Sequence, residues 1–218
     1  MSIRVKLCGM SRPQDAALAS SLGADAVGMI FYAKSARNIS ISRAQEVIAE
    51  LNPLCSAVAV VVNPQVKFVE NLLSRLDIQL IQFHGDESAE FCEQFGMPYF
   101  KAVRMQAGIR LRDIRNQYAG ARALLLDTFD KNLVGGTGRT FDWTLLDDAG
   151  AGLRRPELIL AGGLGPENVL DAIKQTGVRT VDVNSGIETA PGIKDHDKMR
   201  ETMQLLNDQG SLNLKHTL

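Results

Sequence analysis

The sequence predicts an α/β protein, a single-domain (β/α)8 barrel, on three observations. Eight short β-branched runs alternate with eight longer stretches of helical apolar spacing. Eight such units in 218 residues fit a barrel, which typically needs roughly 250. The turn after the first strand, "CGMSRP", lacks the GxGxxG that an open doubly wound sheet usually carries there.

The elements follow in order. "IRVKL" reads as strand one, "PQDAALASSL" as its helix, and Gly23 stands where that helix should stop. "DAVGMIF" and "SRAQEVIAEL" form the second unit, with Ser42 as the expected cap. "SAVAVVV" pairs with "PQVKFVENLLSRL", where Pro64 suits a first helical turn. "IQLIQF" with "SAEFCEQF", then "YFKAVR" with "RLRDIRNQY", give units four and five. "ARALLL" precedes a glycine-rich segment, "NLVGGTGRTFDW", long enough for a lid, and a helix "FDWTLLDDAG". "ELILAG" leads to "PENVLDAIKQT", opening at Pro166 and closing at Gly177; "RTVDVN" leads to "DKMRETMQLLND" behind Asp195. Residues 1–210 form the barrel, and 211–218 read as a loose tail because no helical pattern continues beyond Gly210.

Composition narrows the partners. A net charge of −1 supplies neither a basic field for nucleic acid nor a polybasic membrane anchor. "AVAVVV", among the longest apolar runs, is strand-sized and cannot span a bilayer. "MSIRVK" has no signal-peptide core, and Cys8, Cys55 and Cys92 form neither a disulfide framework nor a CxxC knuckle. The expectation is a cytoplasmic enzyme. His84, His196 and His216 have no metal-binding spacing, so no metal is expected.

In a barrel the chemistry lies at the carboxyl ends of the strands. Cys8 ends strand one, Arg37 follows strand two, His84 ends strand four, Asp127 strand six and Asp182 strand eight. Asp127 follows three leucines, so its carboxyl leaves a hydrophobic layer beside a glycine-rich loop, where burial favours a proton donor. His84 alone reads more readily as a local hydrogen-bonder than as a catalyst and is placed among the substrate-binding residues, and Cys55 and Cys92 read as packing thiols. "AGGLGPEN" puts Gly162 and Gly163 after strand seven, and "NSGIE" puts Ser185 and Gly186 after strand eight. Two such loops together form the recurrent phosphate cradle of barrels. A small phosphorylated substrate follows. Lys6 lies two residues before Cys8 and shares its face, so it needs a carboxylate, and Asp182 is available.

These segments resemble the phosphoribosylanthranilate isomerase family of tryptophan biosynthesis. The likeness runs through "KLCG", "GADAVGMIF", "SARNIS", "VAVVVN", "IQFHGDE", "LLLDT", "GGTGRTFDW", "LAGGLGPENV" and "VNSGIETAPGIKDH". The resemblance implies an Amadori rearrangement without metal or cofactor, with Cys8 as base and Asp127 as acid. It implies Arg37 on the anthranilate carboxylate and Asp182 on a substrate hydroxyl, in a monomer or weak homodimer. A thiolate beside Lys6 is expected to titrate below a free thiol. The family's Ser-Pro-Arg is Ser35-Ala36-Arg37 in this chain, which loosens the expected placement of Arg37. Three rivals stand beside this reading. The histidine-pathway sugar isomerase runs the same rearrangement but expects a carboxylate at Cys8. A Schiff-base aldolase would need Lys6 or Lys101 at the mouth, and a phosphate-binding barrel need not catalyse at all.

Overall fold

Eight parallel strands close on themselves in a computed structural model that describes residues 2–106, 108–128 and 156–215. They are β1 (Arg4–Leu7), β2 (Ala26–Phe31), β3 (Ser56–Val61), β4 (Leu80–Phe83), β5 (Tyr99–Met105), β6 (Ala123–Thr128), β7 (Glu157–Leu160) and β8 (Thr180–Val183). Each pairs with the next, and β8 pairs with β1 in a register that sets Lys6 opposite Asp182. Among the described residues the helices are α1 (Pro13–Ser21), α2 (Ile41–Ala49), α3 (Val66–Arg75), α4 (Ala89–Glu93), α5 (Leu111–Gln117), α6 (Val169–Thr176) and α7 (His196–Lys215). The expected helix at 141–150 and the glycine-rich segment with Lys131, Gly135, Gly136 and Thr137 lie outside the described residues.

Strand alternation sorts the core into two layers. On β6, Leu124 and Leu126 join the large cluster beneath the helices, while Leu125 joins the small cluster inside the barrel with Ala102, Ala123, Ile159 and Ala161. Asp127, two residues beyond Leu125, continues the inward face. This is why a carboxyl follows three leucines.

Helix starts differ in detail from expectation. Ser40, not Ser42, caps α2, because Ser40 is the extended residue whose hydroxyl accepts the Arg43 N–H at 3.1 Å. Pro64 precedes the α3 cap, Gln65, and so lies outside the helix. Pro166 belongs to a turn closed by Asn168, whose side chain accepts the Gly165 N–H and donates to the Gly163 carbonyl, both at 2.9 Å. Asp195 does cap α7, accepting the N–H groups of Asp197 and Lys198. That helix passes Gly210 and ends at Lys215, so 211–215 is not a separate coil. One helical glycine costs only about 1 kcal/mol and need not stop a helix. Gly23 and Gly177 sit at helix ends with φ of +85° and +68°, as their positions predict.

Between β8 and α7 lies an element absent from the sequence reading. A short hairpin, β9 (Glu188–Ala190) with β10 (Ile193–Lys194), sets Lys194 opposite Glu188.

Candidate active site

At the carboxyl end of the strands a solvent-open cavity of about 690 Å³ is lined by Cys8, Arg37, His84, Asp127, Asp182, Gly162, Gly163 and Ser185, among others. The sequence-predicted residues therefore converge, apart from Gly186. Gly186 serves the site from behind: a Cβ there would stand 2.1 Å from the Leu164 carbonyl oxygen, so the loops after β7 and β8 can meet only over a glycine. Gly162 and Gly163 have φ of +86° and +64°, which the tight turn after β7 requires.

Cys8 is buried at the end of β1, its N–H donating to the Val183 carbonyl at 2.9 Å. Lys6 lies below it on the same face, with Nζ 2.8 and 2.9 Å from the two Asp182 carboxylate oxygens. Burial works to lower the Lys6 pKa, but the Asp182 charge and hydrogen bond, together with Cys8, hold it above its ordinary value. Its ammonium is therefore no imine-forming nucleophile. Lys101 is no better placed. It points away from the barrel axis to the Gly85 carbonyl at 2.6 Å and the buried Glu87 carboxylate at 3.2 Å, which removes the Schiff-base rival.

The acidified thiol expected at Cys8 is not what the surroundings produce. Burial pushes the thiol up and the Asp182 charge pushes further, while Lys6 and Lys194 only partly oppose them. Cys55 and Cys92 are raised to about 11 and about 12, mainly by burial, in keeping with packing thiols.

Across the mouth, Asp127 ends β6, with β7 and β8 standing between it and β1. His84 Nε2 lies 3.1 Å from Asp127 Oδ2, and His84 Nδ1 lies 2.8 Å from Gln82 Nε2. With the Gln82 amide donating, Nδ1 accepts and Nε2–H is directed at the carboxylate. Among the described residues the buried Gln82 Oε1 has no hydrogen-bond partner. Gln82 was legible only as the residue two before His84 on the same face.

Arg37 reaches the cavity from the loop after β2. Despite Ala36, the loop is ordered by Ser35, whose hydroxyl accepts the Arg37 N–H at 3.1 Å and whose carbonyl accepts the Asn38 N–H. Its guanidinium is forked by Glu188, with Nε 2.9 and 3.0 Å from the carboxylate oxygens and Nη2 at 2.7 Å. Buried Lys194 completes the group, with Nζ 2.9 Å from Glu188 and 3.0 Å from both the carbonyl and side-chain oxygens of Asn184. Burial pushes the Glu188 carboxyl up, yet Arg37 and Lys194 outweigh it and hold the group below its usual range. Lys194 is lowered by burial, with Glu188 recovering only part. Both residues occur in the quoted "SGIETAPGIKDH" segment, but nothing in their spacing announced a hairpin.

Gly28 is a further residue that the sequence did not single out. A Cβ on it would lie 2.7 Å from Cys8 Sγ and 3.0 Å from Lys6 Nζ. An isolated glycine inside a strand was the available signal, since it marks close approach.

A parallel barrel whose mouth sets a thiol against a carboxyl, beside two glycine loops, defines an acid–base catalyst of the sugar-phosphate isomerase type. The sequence matches the N-(5'-phosphoribosyl)anthranilate isomerase family over residues 5–205. It is 48% identical over 204 residues to the enzyme of that name from Nitrosomonas europaea, covering 94% of this chain and 95% of the relative. The phosphoribosyl anthranilate isomerase of Thermus thermophilus superposes with a TM-score of 0.85 at 32% identity, covering 95% of this chain and all of the other. A second solved isomerase, in complex with reduced 1-(o-carboxyphenylamino)-1-deoxyribulose 5-phosphate, superposes with a TM-score of 0.77 at 35% identity, over 95% and 99% of the two chains. The chain belongs to the N-(5'-phosphoribosyl)anthranilate isomerase family.

Proposed function

We propose that the protein converts N-(5-phosphoribosyl)anthranilate to 1-(2-carboxyphenylamino)-1-deoxyribulose 5-phosphate in tryptophan biosynthesis. The observation that carries this is the pairing of Cys8 and Asp127 on opposed walls of one cavity. Asp127 gives a proton to the furanose ring oxygen as the C1–O bond breaks, and the anilino nitrogen lone pair forms the C1=N bond of an iminium. Cys8, as thiolate, takes the C2 proton, and the C–H electrons neutralise the iminium to an enolamine. Loss of the C2 hydroxyl proton and protonation at C1 then give the ketone. The iminium brings positive charge close to the sulfur, which favours the thiolate when it is needed and opposes the upward push of burial.

The phosphate is assigned to the loops after β7 and β8. Among the described residues no hydrogen bond takes up the N–H groups of Gly163, Ser185 and Gly186, and backbone amides suit a phosphate. Arg37 receives the anthranilate carboxylate on the guanidinium edge that Glu188 leaves open. Asp182 accepts from a sugar hydroxyl while holding Lys6, and His84 keeps Asp127 oriented. Every residue in this scheme comes from one chain, in keeping with a monomer or weak homodimer. The reaction is assigned to the cytoplasm; among the described residues no helix is long and apolar enough to cross a membrane.

The test is the loss of anthranilate fluorescence when freshly generated phosphoribosylanthranilate is added. Wild-type protein should consume it, and Cys8→Ser and Asp127→Asn should each fall by two or more orders of magnitude while still binding the reduced product. Turnover by both variants at the wild-type rate would overturn the assignment, as would a wild-type protein active only on the histidine-pathway substrate.

A further inference from the structure

We propose that Glu188 sets the charge selectivity of the carboxylate subsite: by engaging one edge of Arg37 it leaves room for a singly charged anion and disfavours a doubly charged one. This rests on the reading that Arg37 receives the anthranilate carboxylate. Glu188 does not line the cavity, whereas Arg37 does. The fork from Glu188 uses Nε and one side of Nη2, and Nη1 makes no hydrogen bond to the described residues. A planar guanidinium held along one edge presents the other in a fixed direction.

Glu188 cannot swing aside to admit a larger anion. Besides Arg37 it holds Lys194 Nζ at 2.9 Å and accepts the Gly192 N–H at 3.2 Å, and its side chain is only 4% exposed. Lys194, on the facing strand of the hairpin, is tied in turn to Asn184. The charges of Arg37, Glu188 and Lys194 sum to one positive unit. One carboxylate neutralises that unit. A dianion leaves an excess negative charge separated from Glu188 by the width of one guanidinium, a repulsion built into the site rather than an attraction missing from it.

Three ligands test the idea by calorimetry: the reduced product, its counterpart with a phosphonate replacing the carboxylate, and the anilino counterpart with neither. The measurements use mildly alkaline buffer, where the phosphonate is doubly ionised. Wild-type protein should bind the carboxylate ligand more tightly than the phosphonate. Glu188→Gln should shift that ratio toward the phosphonate by about tenfold, with anilino affinity unchanged within a few-fold. Glu188→Asp, which keeps the charge, should preserve the wild-type ratio. An unchanged ratio in Glu188→Gln overturns the proposal, and so does equal weakening of all three ligands, since that marks a purely structural role. Arg37→Ala separates the two readings. If it leaves the advantage of carboxylate over anilino intact, the Arg37 assignment itself is wrong. If it abolishes that advantage while Glu188→Gln leaves the carboxylate-to-phosphonate ratio unchanged, only the Glu188 inference falls.

Discussion

Substituting Gly28 by alanine adds one methyl group beside Cys8, the proposed base. Its Cβ would stand 2.7 Å from Cys8 Sγ, 3.0 Å from Lys6 Nζ and 3.1 Å from Lys6 Cε. Non-bonded heavy atoms settle at roughly 3.5–4.0 Å, so the sulfur must withdraw by about 1 Å. Lys6 cannot yield in its place, because both Asp182 oxygens hold its ammonium and its side chain is 3% exposed. Overpacking of this kind costs about 1–3 kcal/mol, a drop of several degrees in Tm for a chain of this size. The catalytic effect should be larger, since displacing a reacting group by about 1 Å can cost on the order of 100-fold. Gly28→Ala should therefore lose about two orders of magnitude in kcat, measured by the fluorescence assay. Affinity for the reduced product should change only a few-fold, because the phosphate loops follow β7 and β8. A variant that folds and turns over at the wild-type rate would show that the sulfur is not the base, or that its position is not critical.

Because burial and the Asp182 charge push the folded-state thiol of Cys8 above its ordinary range, its thiolate grows only in alkaline solution. Inactivation by iodoacetamide should accelerate with pH throughout that range, map to Cys8 before Cys55 or Cys92, and be slowed by product; a plateau near neutral pH would refute the environment described. Lys101→Met strands the buried Glu87 carboxylate and should cost about 3–5 kcal/mol in urea unfolding, whereas Lys101→Met combined with Glu87→Leu should recover part of the loss. Full additivity in that cycle would deny the pair any coupling. Inorganic phosphate soaked into crystals should occupy the loops after β7 and β8, and density beside Arg37 instead would reverse the assignment of the two anion subsites.

Much of this molecule was readable in the chain, for identifiable reasons. A strand buried on both faces announces itself by a short, largely apolar run, and all eight segments had one, although "ARALLL" carries no β-branched residue. The strand ends inherit their position from the barrel, so Cys8, His84, Asp127 and Asp182 converge with no knowledge of distances. Lys6 and Asp182 could be paired on face and charge alone. What stayed hidden depends on contacts between loops. Glu188 and Lys194 face each other only because a two-stranded hairpin forms around Gly192, whose φ is +82°. The direction of the Cys8 shift was misjudged for a related reason: a neighbouring cation is visible in sequence, whereas the burial that outweighs it is not. Ser40 and Ser42 illustrate the finer limit, since either hydroxyl could have capped α2 and backbone geometry decided.

The partners in the buried Lys6–Asp182 pair are 176 residues apart in the chain, and this bears on how the protein is made. A ribosome releases Lys6 long before Asp182, which follows it by 176 residues. Until then an ammonium destined for the barrel interior has no carboxylate waiting for it, and enclosing it alone is strongly unfavourable. The nascent chain is thereby discouraged from closing around its first strand too early. A fragment lacking β8 should keep its opening strand wet rather than collapse on it. The pair beneath Cys8 also acts as a lock that only a chain extending through β8 can turn.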